Sequence, residues 1–221
     1  MIRLLAVVLL GCAALLTLTP TPARSAGGDL LWQDQFDLTG GEDIARAVAV
    51  GNDRVFVVGS AQNAAGNRDF VVRAYDAKSG SLIWKDVVDV AGGEDAATAV
   101  VVADNRVIVA GTGTSAAGSS LLLLRAYAAN TGELAWEDRS AFVTVNGLDA
   151  DGSHVIVAGT IADSAGNTTL AVRAYIARTG VLDWQDNPSP PAGFVQFFGS
   201  ARKAVAIQGR RVFVAVRYEH H

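Results

Sequence analysis

Four tryptophans set the frame of this chain. Trp32, Trp84, Trp136 and Trp184 sit 52, 52 and 48 residues apart, and the same words return around them. Residues 74–84 read AYDAKSGSLIW, residues 126–136 read AYAANTGELAW, and residues 174–184 read AYIARTGVLDW. Each has Ala-Tyr at the front, Ser or Thr before a glycine, and Trp four residues after that glycine. Upstream lie RVFVVG (54–59), RVIVAG (106–111) and HVIVAG (154–159), their glycines at the same spacing. Three elements in fixed order at one period make a repeat protein, so the fold must be a stack of similar units.

Each unit reads as four short strands. In the first, Ala45–Val50 and Val55–Gly59 flank a turn at Gly51-Asn52-Asp53, while Phe70–Tyr75 and Leu82–Val87 flank one at Ala77-Lys78-Ser79-Gly80. The runs are rich in Val, Ile, Phe, Tyr and Trp, which suit a pleated, half-buried surface. Gly, Asn, Asp and Ser clusters between them supply the positive φ angles of tight hairpins. Past the first 25 residues no stretch sustains a helical apolar period over three turns. The fold class is therefore all-β. A four-stranded unit of this size cannot bury both faces alone, and radial stacking into a β-propeller solves that problem. The indole then acts as a wedge into the neighbouring blade, while the glycine four residues earlier leaves a flat backbone surface for it to cover.

The stretch Ala74-x-Asp76-x-x-Ser79-Gly80-x-x-x-Trp84 resembles the tryptophan-docking motif of the quinoprotein-type, PQQ-like β-propeller repeats (PQQ being pyrroloquinoline quinone). The second copy keeps Ala126, Thr131, Gly132 and Trp136 but has Ala128 in place of the Asp. The third keeps Ala174, Thr179, Gly180 and Trp184 with Ile176 there. The resemblance covers almost all of residues 28–217 and implies a structural docking role for Gly28, Trp32, Gly80, Trp84, Gly132, Trp136, Gly180 and Trp184.

The ring does not close by counting. Gly28 and Trp32 open the chain inside a docking motif, three whole units follow, and Ala204–Gln208 with Arg211–Val216 repeat the first two strands of a fourth. Val216 stands where the others have glycine. The expected domain is residues 26–221, with blades at about 45–88, 97–140 and 143–188 and a partial one at 200–218. A partial propeller of this kind is a fragment of a longer ring, an open four-blade arc, or one half of a ring formed by two copies pairing their open edges.

The first 25 residues carry no acidic side chain. Arg3 precedes an apolar run from Leu4 to Leu18, Pro20 and Pro22 end it, and Ala23-Arg24-Ser25 offers small residues at a cleavage site. That is the layout of a secretory signal peptide, and the run falls short of the ~20 residues of a spanning helix. Leu9-Leu10-Gly11-Cys12 also resembles a lipoprotein box, with lipid anchoring at Cys12 as the second export reading. Either way the expectation is an exported, periplasmic or extracellular protein with no transmembrane segment after cleavage. A formal charge of −4 leaves no basic field for nucleic acid, and the single Cys excludes a disulfide framework.

Chemistry is harder to read. The resemblance brings to mind quinoprotein dehydrogenases, which hold PQQ and calcium on the ring axis beside a disulfide between adjacent cysteines. Here the chain after Ser25 has no Cys, and its tryptophans belong to peripheral docking positions, so neither cofactor is expected and no catalytic, cofactor or metal residue is assigned. Asp37, Glu42-Asp43, Asp89 and Glu94-Asp95 recur in the loops entering two blades, too few oxygens for a calcium shell, and read as solvated charge. Arg73, Arg125 and Arg173 precede each Ala-Tyr pair and read as partners for carboxylates. His154 is the one histidine outside the C-terminal pair, with no nucleophile elbow beside it. The expected function is a non-enzymatic binding or scaffolding module. It would present the variable loops Ala61–Arg68, Thr112–Ser120 and Ile161–Thr168 to an unknown protein or ligand. A remnant of a PQQ-dependent dehydrogenase is the alternative.

Overall fold

The computed structural model describes residues 7–9, 29–162, 168–188, 194–197 and 204–220. Their chain order is β1 (Val7–Leu9), β2 (Gln33–Gln35), β3 (Asp43–Gly51), β4 (Arg54–Gln62), β5 (Arg68–Asp76), β6 (Leu82–Val88), β7 (Ala96–Ala103), β8 (Arg106–Thr114) and β9 (Ser120–Ala128). Then follow β10 (Leu134–Ala141), β11 (Thr144–Ala150), β12 (His154–Ala162), β13 (Thr168–Ile176), β14 (Leu182–Asp186), β15 (Phe194–Phe197), β16 (Val205–Gln208), β17 (Arg211–Val214) and β18 (Arg217–His220). All are strands, as the period-two runs of Val, Ile and aromatics require. Three antiparallel four-stranded sheets, β3–β6, β7–β10 and β11–β14, each run in simple meander order and form the blades. Gly28 lies outside the described residues, as do residues 163–167 of the third variable loop.

The hairpin between β3 and β4 turns on Asn52 and Asp53, both at positive φ (54° and 55°), and Asp104 and Asn105 repeat this between β7 and β8. Two consecutive left-handed residues give the primed turn whose twist matches the strands it joins. The middle strands are buried on both faces: Val55 to Ala61 of β4 is buried throughout. The hydrophobic core lies between blades rather than within them. Phe56, Phe70, Trp84, Val107 and Leu123 join the first blade to the second, and Leu122, Leu124, Phe142, Val155 and Tyr175 join the second to the third.

Each first strand carries one β-bulge at the same repeat position. The register slips between Ala45 and Ala47, between Ala97 and Ala99, and between Val145 and Gly147. Opposite the slip stands the repeated glycine of the second strand. A Cβ built on Gly59, Gly111 or Gly159 would fall 1.8, 2.0 or 2.1 Å from the carbonyl oxygen of Ile44, Ala96 or Thr144. No side chain fits there, so the glycine of the VVG and VAG words is a packing requirement of the bulge.

That explains the fourth unit. Val216 occupies the glycine position, and the hairpin is interrupted there. β16 and β17 pair from Val205↔Val214 to Gln208↔Arg211, β17 ends before Val216, and a separate pair, β15 with β18, follows beyond it. The segment 217–220, expected to lie past the last strand, is thus itself a strand. β1 lies parallel to β2 over three residues, so β2 belongs to none of the four-stranded sheets. Among the described residues no helix is long and apolar enough to cross a membrane.

Candidate functional site

Trp32, Trp84 and Trp136 dock, but each covers the glycine of the next repeat rather than the one four residues before its own ring; Trp184 is 38% exposed. A Cβ on Gly80 would meet the Trp32 ring at 2.5 Å, one on Gly132 the Trp84 ring at 2.6 Å, and one on Gly180 the Trp136 ring at 2.5 Å. These glycines sit at φ +72°, +75° and +71°, the left-handed region in which glycine alone is unstrained. The indole N–H then donates to a carbonyl of the same turn: Trp32 to Ala77 O (3.1 Å), Trp84 to Ala129 O (3.1 Å), Trp136 to Ala177 O (2.9 Å). The turn itself closes by Gly80 N donating to Asp76 O, with Gly132 to Ala128 O and Gly180 to Ile176 O repeating it. Loss of the motif's carboxylate at Ala128 and Ile176 therefore leaves the backbone turn intact. Asp76 only adds bonds from Lys78 N, Ser79 N and Ser79 Oγ, which draw its carboxyl below the ordinary range.

A second half of the lock escaped the sequence reading. Every tryptophan is followed two residues later by an aspartate: Asp34, Asp86, Asp138 and Asp186. The Arg-Ala-Tyr word of the next blade meets the first three of these carboxylates. Tyr75 OH donates to Asp34 Oδ2 at 2.8 Å beside an Arg73–Asp34 ion pair at 2.9 Å. Tyr127 OH donates to Asp86 at 2.9 Å, with Arg125 3.4 Å from Asp86 and 2.7 Å from Glu137. Tyr175 OH donates to Asp138 at 2.7 Å, while Arg173 bonds Ser140, which bonds Asp138 in turn, and covers the Phe142 ring at 4.8 Å. Burial is the main reason these phenols resist ionisation: Tyr75 is pushed up to about 12, and Tyr127 and Tyr175 are raised as well. The arginines are thus committed between blades. The signal that reveals the pairing is the Trp-x-Asp word, legible once it is matched to Arg-x-Tyr one repeat later.

The acidic loops differ from expectation. Asp37 and Asp89 cap their own turns, accepting from Gly40 N and Gly92 N. Asp43 and Asp95, however, are 5% and 1% exposed, buried rather than solvated. Asp95 takes Val90 N on one oxygen and Thr114 N on the other, and Asp43 takes Leu38 N and Gln62 N. Burial pushes both carboxyls above the ordinary range, against the pull of those donors. They clamp the entry loop to the second strand, and a carboxylate whose lone pairs meet backbone N–H groups has a structural task. The exposed Glu42 and Glu94 flank Arg68, which pairs with both and ties two blades together. Among the described residues no three His, Cys, Asp or Glu side chains cluster in metal-binding geometry.

His154 lies on the flank of the third blade, its Nδ1 2.9 Å from Ser153 Oγ and its Nε2 3.4 Å from Asp183 Oδ2. The order Ser-His-Asp suggests a nucleophile, yet the Ser153 hydroxyl donates to Asp151 Oδ1 at 2.8 Å, as do Ser153 N and His154 N. The serine proton points at a carboxylate, and the group is a turn cap. Between the first strands of the three blades the bulges bring together Arg46, Thr98 and Asn146, which with Ala99 and Val145 line a cavity of about 170 Å³.

The family described as outer membrane protein assembly factor BamB matches residues 23–220. No curated protein matches the chain at a significant level. Among solved structures, a europium-containing methanol dehydrogenase is 17% identical over 67% of this chain and 26% of its own, with TM-score 0.47. The quinohemoprotein alcohol dehydrogenase ADHIIG from Pseudomonas putida HK5 is 22% identical over 65% of this chain and 20% of its own, with TM-score 0.45. BamB from Moraxella catarrhalis is 14% identical over 82% of this chain and 85% of its own, with TM-score 0.19. The chain thus spans about a quarter of the methanol dehydrogenase it matches. Its matched length and its repeated indole-on-glycine contacts lead to one assignment: the chain belongs to the PQQ-like β-propeller repeat family.

Proposed function

We propose that the protein works outside the cytoplasm as a non-catalytic binding or scaffolding module, holding a partner on the variable loops at the blade ends. The carrying observation is where the recurrent polar residues are spent. Arg73, Arg125, Tyr75, Tyr127 and Tyr175 bond Asp34, Asp86 and Asp138 across blade boundaries. They make a rigid frame, and the variation between repeats is left to the loops joining second to third strands. The family description names an assembly factor, which is in keeping with a protein partner.

The cavity between the first strands supports the same reading. PQQ held with calcium wants a carboxylate-rich site, since a hard divalent cation takes six to eight oxygens. The cavity between the first strands is instead lined by a guanidinium, a hydroxyl and an amide. Trp32, Trp84 and Trp136, rings that could floor a quinone, are engaged with the glycine turns of the next repeat. Among the described residues, this lining speaks against the cofactor.

Incubation of the full chain with PQQ and calcium chloride, followed by a dye-linked alcohol oxidation assay, tests the proposal. The expected result is no turnover and no heat of binding. Turnover would replace the proposal with a remnant of a PQQ-dependent dehydrogenase. Mass spectrometry of the exported protein checks the compartment, with Ala26 as the expected first residue.

A further inference from the structure

In each first strand the bulge carries a polar residue. The residue left over where the register slips is Arg46 in β3, Thr98 in β7 and Asn146 in β11. Its neighbours are Ala45 and Ala47, Ala97 and Ala99, or Val145 and Gly147, all small or apolar. A bulge leaves its extra residue without a partner on the opposite strand and re-aims the side chain. Here the three re-aimed side chains line one cavity of about 170 Å³, whose remaining walls are Ala99 and Val145. The bulge recurs in all three blades with glycine opposite, but its side chain does not. A guanidinium, a hydroxyl and an amide stand at one repeat position, so the fold requires the bulge without specifying what it carries.

The donors of this cavity suit an anion. Arg46 carries a planar fork of N–H groups that matches the two oxygens of a carboxylate. The side-chain oxygen of Asn146 accepts from Thr144 Oγ1 at 2.6 Å, which orients the amide and leaves its NH2 as the end that donates. Thr98 Oγ1 donates to Ala110 O at 3.2 Å, so the anion's donors are Arg46 and Asn146. None of the five lining residues is a carboxylate. In a chain of formal charge −4, a guanidinium set among apolar and amide groups is a local field that draws an anion. One cation suits a singly charged ligand, and the Ala99 and Val145 walls suit hydrocarbon rather than further oxygens. A cavity of about 150 Å³ takes up benzene, so this one has room for a carboxylate on a chain of a few carbons.

We propose that this cavity is a binding site for a small aliphatic carboxylate. The Arg46 guanidinium and the Asn146 amide hold its oxygens, and its hydrocarbon tail lies against Ala99 and Val145. The lining comes from β3, β7 and β11, one strand of each blade, so the bound anion touches all three. The site is separate from the variable loops, and its failure would leave the scaffolding role untouched.

Saturation-transfer NMR of sodium butyrate titrated into the full chain, at an ionic strength held constant with sodium chloride, tests the site. Saturable transfer is expected. Butyramide, which has the same shape without the charge, should bind about tenfold more weakly or worse. Arg46→Met, which keeps an apolar stem, should cost a similar factor, and Arg46→Lys should recover part of it. Asn146→Asp should abolish binding by setting a second carboxylate against the first. No saturable transfer, equal binding of butyrate and butyramide, or unchanged affinity in Arg46→Met would overturn the proposal. So would sulfate displacing butyrate as effectively as propionate does, since the cavity would then hold an adventitious ion only. The butyramide and sulfate arms use the native chain and keep the test decisive if a variant fails to fold.

Discussion

Gly132 and Gly118 offer a matched pair for measuring the blade lock. Both are in the left-handed region, at φ +75° and +76°, so alanine carries the same backbone strain at either site, about 1–2 kcal/mol. They differ in what the new methyl meets. At Gly118 nothing lies within 4 Å, whereas at Gly132 the methyl would sit 2.6 Å from Cδ2 of Trp84. The ring has little room to retreat: its N–H is bonded to Ala129 O and its face lies against Tyr127, centroids 5.5 Å apart. Overpacking of this kind costs about 1–3 kcal/mol. Gly118→Ala should therefore lose about 1–2 kcal/mol and Gly132→Ala about 2–5 kcal/mol. Urea unfolding followed by circular dichroism reads the difference, with an unchanged slope as the control for two-state behaviour. In a Trp84→Ala background, itself about 3–5 kcal/mol less stable, Gly132→Ala should fall back to the cost of Gly118→Ala. Equal losses at the two glycines in the native background would refute the claim that the indole rests on the next repeat's turn.

Two further outcomes follow from the same geometry. Gly111→Ala places a methyl about 2.0 Å from the Ala96 carbonyl oxygen, a backbone atom that cannot swing aside, and should cost about 3 kcal/mol or more in the same urea assay; a loss below 1 kcal/mol would mean that the bulge does not need glycine. Asp43 and Asp95 have raised folded-state values. Their contribution is thus fully present below the unfolded value near 3.8 and falls as pH rises through their folded values. Asp76 is lowered, so its contribution is present above 3.8 and is lost as pH falls through its folded value. Carboxyl NMR titration should place Asp95 above and Asp76 below that value, and Asp95 titrating at or below it would contradict the burial argument.

Much of the architecture was written in the residues. The spacing of Trp32, Trp84, Trp136 and Trp184, with glycine turns and alternating strands between them, requires repeated antiparallel blades because no other packing hides both faces of such sheets. The partial fourth unit was equally legible, from Ala204–Gln208 and Arg211–Val216 repeating the first two strands of a blade. Which atoms meet was not. Sequence places Gly80 beside Trp84, four residues away, but a strand leaving the turn carries that indole towards the next blade, and it is Trp32 that covers Gly80. Asp43 and Asp95 look like loop charge because burial depends on backbone donors, Gln62 N and Thr114 N, that arrive from another strand. Arg73 and Tyr75 lie 39 and 41 residues from Asp34, and the three form one cluster only because blades stack. Local words fixed the strands and turns, since hairpin geometry is a short-range property; the partners of each polar group were decided by contacts between blades, which the period implies but does not name.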